Sequence, residues 1–313
     1  MTTEPDPLSA RLLIELEPGV EHLLQRHLSA SQMWLPHTFT PWSTAYDYDG
    51  PLGGQAWQCE QSTLPRPVQD ALVVNLLTED NLPGYHFELA TEFGREGAWG
   101  AWGNRWTAEE GRHADALRSY LHATRAVDPV ELEHQRMRHV GTGYTSHHPS
   151  LLHGLAYVTV QELATREAHR NAGKACQDPL GEQLMTRIAA DENLHMLFYR
   201  DLYAQAIQLA PDAAVQSLAD VICRFTMPGV TIPGFGRRAL RIAAAGIYNL
   251  DIHRDYVLLP LLRHLGVMTR SGLGPSGEEA RDRISHHLER LSAQAERFRR
   301  LLDRMESADH ATC

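Results

Sequence analysis

The strongest constraint on the fold of this chain is a pair of Glu-x-x-His motifs, each in the middle of an apolar helical stripe. Residues three or four positions apart lie on one face of an α-helix, so each Glu and His would share a buried face. Burying carboxylates without partners is costly, so something must compensate them. The two stripes are Trp99, Trp102, Trp106, Glu110, His113, Leu117 and Leu121, and Leu184, Ile188, Glu192, His195, Tyr199 and Leu202.

Two further apolar stripes each contain one acid: Leu72, Leu76, Glu79 and Leu82, and Leu151, Leu155, Val158, Glu162 and Thr165. Four carboxylates and two neutral imidazoles would balance the charge of two divalent ions. This donor set suits iron or manganese, whereas the lack of cysteine in it disfavours a structural zinc site. Two single Glu and two Glu-x-x-His motifs on four helices are also the ligand pattern of ferritin-like carboxylate sites. We predict that a di-iron site is formed by Glu79, Glu110, His113, Glu162, Glu192 and His195.

A third Glu-x-x-His, Glu131 and His134, lies in the polar run ELEHQRMRH, and no apolar stripe surrounds it. We predict that it lies on a solvated face. Either of the other two motifs, taken alone, would also be compatible with a salt-bridged helix surface. The metal site is favoured because both motifs interrupt apolar stripes and two other helices each add a buried Glu.

Residues next to the predicted ligands add detail. Glu109 and Asp191 each precede a ligand Glu, and metal-bound histidines usually donate their second ring N–H to a carboxylate, so we expect these acids to bond the histidines across the pair. The Thr165 hydroxyl either lies near the metals or bonds back to the backbone of its own helix, and the sequence leaves both open. Pro83 removes the hydrogen bond that the Glu79 carbonyl would accept, so the helix either kinks or ends there.

Helical periodicity dominates the whole chain, and strand signals are nearly absent. A stretch rich in Pro, Gly and aromatic residues, 34–67, reads as a long ordered loop. We predict one all-α domain over 1–313, a ferritin-like four-helix di-iron bundle with additional flanking helices. Its parts are an N-terminal helix and loop (1–66), metal-binding helices (about 67–209) and C-terminal helices (211–306). The predicted helices are about 8–29, 67–93, 98–125, 149–171, 178–209, 211–225, 237–266 and 277–306.

Composition narrows the classes of protein that remain. A net charge of −10 argues against a nucleic-acid binder, which would carry a basic face. We find no apolar run long enough for a membrane span, and the acidic N-terminus does not resemble a signal peptide. Four cysteines without metal-ligand spacing predict a reducing compartment, and we therefore expect a cytoplasmic protein. The 18 histidines favour a metal-binding protein.

The sequence segments around these motifs resemble those of one protein family. WTAEEGRHADALRSYL (106–121), AADENLHMLFYRDLY (189–203), VQELAT (160–165) and LLTEDNLPGY (76–85) are similar to segments of the soluble acyl-acyl carrier protein desaturases, the stearoyl-carrier-protein desaturase family of plastids and actinobacteria. The resemblance continues through MWLPHTF (33–39), LADVICRFTMP (218–228) and SGEEARDRISHHLERL (276–291), and thus covers most of the chain.

The resemblance implies the same six metal ligands and further roles. Asp191 would hydrogen-bond a ligand histidine and lead to Trp34, the presumed electron route of the family, and Thr165 matches a threonine implicated in oxygen activation. It also implies a homodimer, reduced ferredoxin as electron donor, and an acyl chain threaded past the di-iron centre on the phosphopantetheine arm of acyl carrier protein. The expected reaction is O2-dependent formation of a double bond.

Two departures from the plant enzymes bear on the substrate. The segment between the first two metal-binding helices is shorter. After Pro83, the residues His86, Glu88 and Glu92 stand where the plant family has mostly apolar lining. If these side chains faced the channel, a long saturated tail would fit poorly. The alternative, favoured by the usual exposure of Glu, is that they point to solvent or to another helix.

An acidic carrier protein would be repelled by a chain of net charge −10 unless basic residues are concentrated locally. The best candidates for a docking patch flank TMPGVTIPGFG: Arg224, Arg237, Arg238 and Arg241. An ordinary solvated helix start is the alternative. For the protein as a whole, a di-iron hydroxylase or N-oxygenase on another carrier-bound substrate and an inactive iron-binding relative also remain open. The complete ligand set argues against the inactive relative.

Overall fold

The computed structural model describes residues 6–146 and 148–311, with side chains up to residue 304. The predicted all-α class is confirmed, because the only β contact among the described residues is an isolated bridge between Tyr48 and Gln55. The helices are α1 (Pro7–Ala30), α2 (Arg66–Glu79), α3 (Leu82–Glu92), α4 (Gly97–Ala123), α5 (Pro129–Thr142), α6 (Leu151–Ala175), α7 (Pro179–Leu209), α8 (Pro211–Arg224), α9 (Phe235–Ala244), α10 (Leu250–Ile252), α11 (Leu259–Leu265) and α12 (Pro275–Ala311).

Three helices begin at an Asp-Pro dipeptide. The Asp side chain accepts hydrogen bonds from the first backbone N–H groups of the helix, and the proline that follows has no N–H to leave unpaired. This local signal marks the starts of α1, α5 and α7, where the capping residues are Asp6, Asp128 and Asp178.

The bundle consists of α2, α4, α6 and α7, in a ferritin-like arrangement, and α1 packs against α4 and α7. Two apolar clusters fill it. One joins the N-terminal halves of α4 and α6 and the C-terminal half of α7 to α1, α8 and α12. The other joins α2 to the C-terminal half of α4, the end of α6 and the start of α7. The predicted acids and histidines fall between the two clusters.

The helix predicted over 67–93 is in fact two helices. Helix α2 ends at Glu79, and α3 begins at Leu82 with Pro83 in its first turn. Since proline lacks an N–H and is tolerated only at the start of a helix, it terminates α2 and does not merely kink it. Glu79 is therefore the last residue of α2.

The single helix predicted over 237–266 is also interrupted in the structure. Helix α9 ends at Ala244, and Gly246 has a φ of 69°, a left-handed conformation that breaks a helix. After the break, a π-helical stretch, His253–Leu258, separates α10 from α11. Before the break, Ile242 packs against the second cluster, whereas after it Leu250 and Val257 pack against the first, so the break lies where the chain passes from one cluster to the other.

Helix α5 was missed by the sequence analysis because its polar run shows a weak apolar face. It buries Leu132, Gln135 and His139, while Glu131 and His134 are exposed, as predicted for the third motif. Three cysteines, Cys59, Cys176 and Cys223, are free, and Cys313 lies outside the described residues. Among the described helices, none combines the length and the apolar character that crossing a bilayer requires.

Candidate metal centre

The six predicted ligand side chains converge between the two apolar clusters, and all are buried. They form two groups in which one ligand atom of each residue lies within 4.8 Å of the others. Two acids, Glu110 and Glu192, belong to both groups. The first group adds Glu79 and His113, and the second adds Glu162 and His195. This geometry offers two adjacent cation positions that share two carboxylates.

Both histidines turn Nδ1 toward the carboxylates. His195 Nδ1 lies 2.9 Å from Glu110 Oε1, 3.6 Å from Glu162 Oε2 and 3.8 Å from Glu192 Oε2. His113 Nδ1 lies 3.2 Å from Glu110 Oε2, 3.4 Å from Glu192 Oε1 and 4.0 Å from Glu79 Oε1. The two sets of contacts mirror each other across the shared acids, as the repeated Glu-x-x-His spacing on α4 and α7 requires.

Several atoms of this cluster have no hydrogen-bond partner among the described residues, although they are buried: Glu162 Oε2, both carboxylate oxygens of Glu192, and His195 Nδ1. Burial, followed by repulsion from Glu110, raises the pKa of Glu79 to about 8. Burial likewise raises the pKa of Glu162 well above its usual value. Buried polar atoms are normally satisfied, so these unpartnered atoms fit a pair of divalent cations as their missing partners.

The second nitrogen of each histidine faces the acid that precedes the other motif. His195 Nε2 lies 3.0 Å from Glu109 Oε2, and His113 Nε2 lies 3.5 Å from Asp191 Oδ2. Each acid on α4 or α7 thus meets the histidine of the opposite helix. A carboxylate at this position fixes the ring orientation and tautomer of a ligand histidine.

Two buried histidines near the cluster were missed by the sequence analysis. His27 Nε2 on α1 lies 2.9 Å from Glu109 Oε2, and Glu109 holds both His27 and His195. His169 Nε2 on α6 lies 3.5 Å from Glu192 Oε1 and 3.7 Å from Glu79 Oε1. His27 follows Val20, Leu23 and Leu24 on the buried face of α1, and that spacing is the signal that could have found it.

Trp34, on the loop before α2, connects this cluster to a less buried region. Its Nε1 donates to Asp191 Oδ2 at 2.7 Å, and its ring stacks on His113 with centroids 6.3 Å apart. Arg112 and Arg187 also contact Asp191. The result is a continuous contact path from Trp34 through Asp191 to His113.

Thr165 lines the same cavity as Glu79, Glu110 and Glu192. Its hydroxyl accepts a hydrogen bond from Gln161 Nε2 at 3.0 Å. The hydroxyl thus contacts a side chain one turn earlier on its own helix, and among the described contacts it makes no bond to the helix backbone.

The cavity has a volume of about 110 Å³, and the carboxylate cluster forms part of its wall. Val74 and Thr78 of α2 and Gly229 also line it. Glu88 and Glu92 of α3 line it as well. The favoured expectation holds in part for Glu92, whose carboxyl group lies against Gly154 of α6, but both acids also line the cavity. His86 does point to another helix, since its Nδ1 lies 2.7 Å from Thr107 Oγ1 of α4.

The predicted docking arginines divide into two sets. Arg237, Arg238 and Arg241 line one concave surface, together with Arg66 and Arg138, whereas Arg224 is exposed at the end of α8, outside this concavity. Two of them are already engaged. Arg238 donates to Gln135 Oε1 at 2.7 Å, and Arg241 pairs with Asp70 at 2.5 Å. Arg237 and Arg66 are exposed.

Comparisons with known proteins agree with this geometry. The profile of the fatty acid desaturase family matches residues 9–312. A Mycobacterium tuberculosis protein named acyl-(acyl-carrier-protein) desaturase DesA1 is 47% identical over 306 residues, which cover 94% of this chain and 90% of that protein. Arabidopsis thaliana stearoyl-(acyl-carrier-protein) 9-desaturase 6 is 30% identical, over 88% of this chain and 73% of that protein. The X-ray structure of the M. tuberculosis acyl-ACP desaturase DesA2 superposes with a TM-score of 0.71 at 30% identity, covering 86% of this chain and 99% of that one.

Proposed function

The chain belongs to the fatty acid desaturase family, and we propose that it introduces a double bond into an acyl chain carried on acyl carrier protein, at a di-iron centre. The observation that carries this proposal is the pair of ligand groups that share Glu110 and Glu192 on the wall of a cavity. The proposed iron ligands are Glu79, Glu110, His113, Glu162, Glu192 and His195.

Two ferrous ions bound by these residues would supply the redox chemistry that activates O2 toward an unactivated methylene. The protein residues orient the ligands and shape the site. Glu109 and Asp191 hold the rings of His195 and His113, and the apolar clusters on both sides exclude water. The cavity fixes which carbon of a bound acyl chain lies nearest the cluster.

The partners are proposed from the surface and from the contact path. Electrons from reduced ferredoxin would follow Trp34, Asp191 and His113, which are in contact. The basic concavity around Arg237 would receive the acidic carrier protein, with Arg224 as an outlying contributor. We further propose, from the family resemblance, that the protein is a cytoplasmic homodimer.

Mass spectrometry of the loaded carrier protein tests the reaction. After incubation with reduced ferredoxin and O2, we expect the acyl chain to lose two hydrogen atoms. A gain of one oxygen atom would instead identify a hydroxylase or an oxygenase. An unchanged acyl chain across a series of chain lengths, with iron bound, would contradict catalysis and favour an inactive family member.

We propose that the Thr165 hydroxyl manages protons during O2 activation, and replacement of Thr165 by valine tests this role. We expect Thr165→Val to retain full iron content but to form less product per O2 consumed, measured with an oxygen electrode and product analysis. Thr159→Val is the matched control, since this hydroxyl lies on the same helix and bonds to the Leu155 carbonyl at 2.6 Å. A fully coupled Thr165→Val variant would reduce Thr165 to a packing residue.

The acids behind the histidines should affect iron affinity. Glu109→Gln and Asp191→Asn keep the side-chain size but remove the charge that faces His195 and His113. We expect each variant to bind iron about 10- to 100-fold more weakly in competition with a chelator. The exposed Glu131→Gln is the control. Affinities equal to that of the unmodified protein would show that these acids do not support the ligands.

A further inference from the structure

Two acids on α3 form a polar end of the cavity, on the side away from the metal ligands. Glu88 and Glu92 are four residues apart, so they lie one turn apart on one face of the helix, and both line the cavity. Ser146 donates its hydroxyl hydrogen to Glu88 Oε2 at 2.6 Å. Acids on this wall are unexpected in a channel for a purely saturated chain, because burying a carboxyl group against methylenes is costly.

The position of Glu92 shows how far this end lies from the metal ligands. A Cβ at Gly154 of α6 would approach Glu92 Oε2 to 2.4 Å, so the carboxyl group packs directly against the glycine. Gly154 precedes Glu162 by two helical turns, which corresponds to about 12 Å along α6. An acyl chain that passed the metal ligands would therefore extend several carbons further before it met Glu92.

A third group, Tyr85, points to a ligand independently of the acids. It lies one turn before Glu88 and Leu89 on α3 and lines the same cavity. Its hydroxyl is buried and has no partner in regular hydrogen-bond geometry among the described residues, and the Asn81 side chain is the polar group that interacts with it. Buried hydroxyl groups normally have partners, so a polar group in the cavity would complete this site.

The charge state of the acid pair indicates which polar group fits. Burial, together with repulsion from Glu88, raises the pKa of Glu92 to about 8, so near neutral pH this carboxyl group is mostly protonated and can donate a hydrogen bond. The Tyr85 hydroxyl can also donate, while Glu88 offers acceptor oxygens. A hydroxyl group both donates and accepts, whereas an ammonium group only donates and a methyl group does neither.

We propose that the acyl chain carries a hydroxyl group toward its distal end and that Glu88, Glu92 and Tyr85 bind this hydroxyl. The inference rests on the proposed function, and it names the class of substrate for the same cavity. These three residues would determine specificity, because a methyl-terminated chain would place an apolar group against polar side chains that it cannot bond.

A competition assay tests the substrate class. The iron-loaded full chain is given carrier protein loaded with acyl chains of equal length that end in a methyl, a hydroxyl or an amino group, and product is measured by mass spectrometry. We expect kcat/KM for the hydroxyl-terminated chain to exceed the other two by about tenfold or more, because a polar site rejects an analogue that lacks the hydrogen-bonding group. A preference for the methyl-terminated or amino-terminated chain would overturn the proposal.

Variants assign the preference to these residues. Glu88→Leu/Glu92→Leu should invert the preference in favour of the methyl-terminated chain. If this double variant does not fold, the conservative Glu92→Gln is used instead, and it should retain most of the preference for the hydroxyl-terminated chain. Thr91→Val is the control, since Thr91 is exposed on the same helix and bonds to the Phe87 carbonyl. An unchanged preference in the folded double variant would contradict the assignment.

A binding measurement separates this inference from the proposed function. The affinity of the iron-loaded protein for the three loaded carrier proteins is measured without O2, so that no turnover is needed. If no chain is oxidised but the hydroxyl-terminated chain binds tightest, the proposed reaction fails and the specificity site stands. If the chains are desaturated but bind equally, the specificity site fails and the reaction stands.

Discussion

Glu110→Ala and Glu192→Ala are each expected to abolish turnover and to lower the iron content well below that of the unmodified protein. Each of these acids belongs to both ligand groups, so its loss removes a ligand and a compensating charge from both cation positions. Iron is measured by metal analysis after reconstitution and desalting. Circular dichroism of the metal-free variants would separate loss of binding from loss of folding.

The third Glu-x-x-His motif provides a matched control for this experiment. Glu131→Ala and His134→Ala remove the same residue types at the same spacing, but from the exposed face of α5. We expect both controls to retain iron, and His134→Ala to retain full turnover as well. Full iron loading and full turnover in both Glu110→Ala and Glu192→Ala would contradict the site assignment.

Arg66→Glu/Arg237→Glu should raise KM for the loaded carrier protein by about tenfold at low salt, with iron content unchanged. Both arginines are exposed in the basic concavity, so the double reversal repels an acidic partner. Arg66 lies 3.8 Å from Asp70, so circular dichroism is used to verify that the variant folds. Arg238 is a poorer choice, because it is half-buried and donates to Gln135. In the unmodified protein, KM should rise with ionic strength as the attraction is screened.

The control for this charge reversal is Arg11→Glu/Arg297→Glu, which changes the net charge equally at two exposed positions outside the concavity. It should leave KM nearly unchanged. If KM does not change in the Arg66→Glu/Arg237→Glu variant, or does not depend on salt in the unmodified protein, the carrier protein docks elsewhere.

Helical periodicity was sufficient to predict most of the fold and the cluster of acids and histidines. Helical spacing alone places Glu110 beside His113 and Glu192 beside His195, and an acid within an apolar stripe has few ways to be compensated. The acids before each motif follow the same logic, since a residue adjacent to a ligand Glu on α4 or α7 faces the neighbouring helix. These inferences need only the spacing of residues within one helix, and that spacing is the same in the folded protein.

The features that were missed depend on which helices become neighbours. His27 reaches Glu109 only because α1 packs beside α4, and His169 reaches Glu192 only because α6 packs beside α7. The direction of Glu92 likewise depends on Gly154, which lies on another helix and provides the space for its carboxyl group. Sequence spacing within one helix contains no information about such contacts.

Mössbauer spectroscopy of the iron-reconstituted, aerobically oxidised protein tests the central claim most directly, because it reports both the amount of bound iron and the coupling between the ions. Two cation positions that share Glu110 and Glu192 predict two iron ions per chain in one magnetically coupled pair, with quadrupole doublets and no magnetic splitting at low temperature. A single isolated ferric ion per chain, which would show magnetic hyperfine splitting at low temperature, would contradict the shared site.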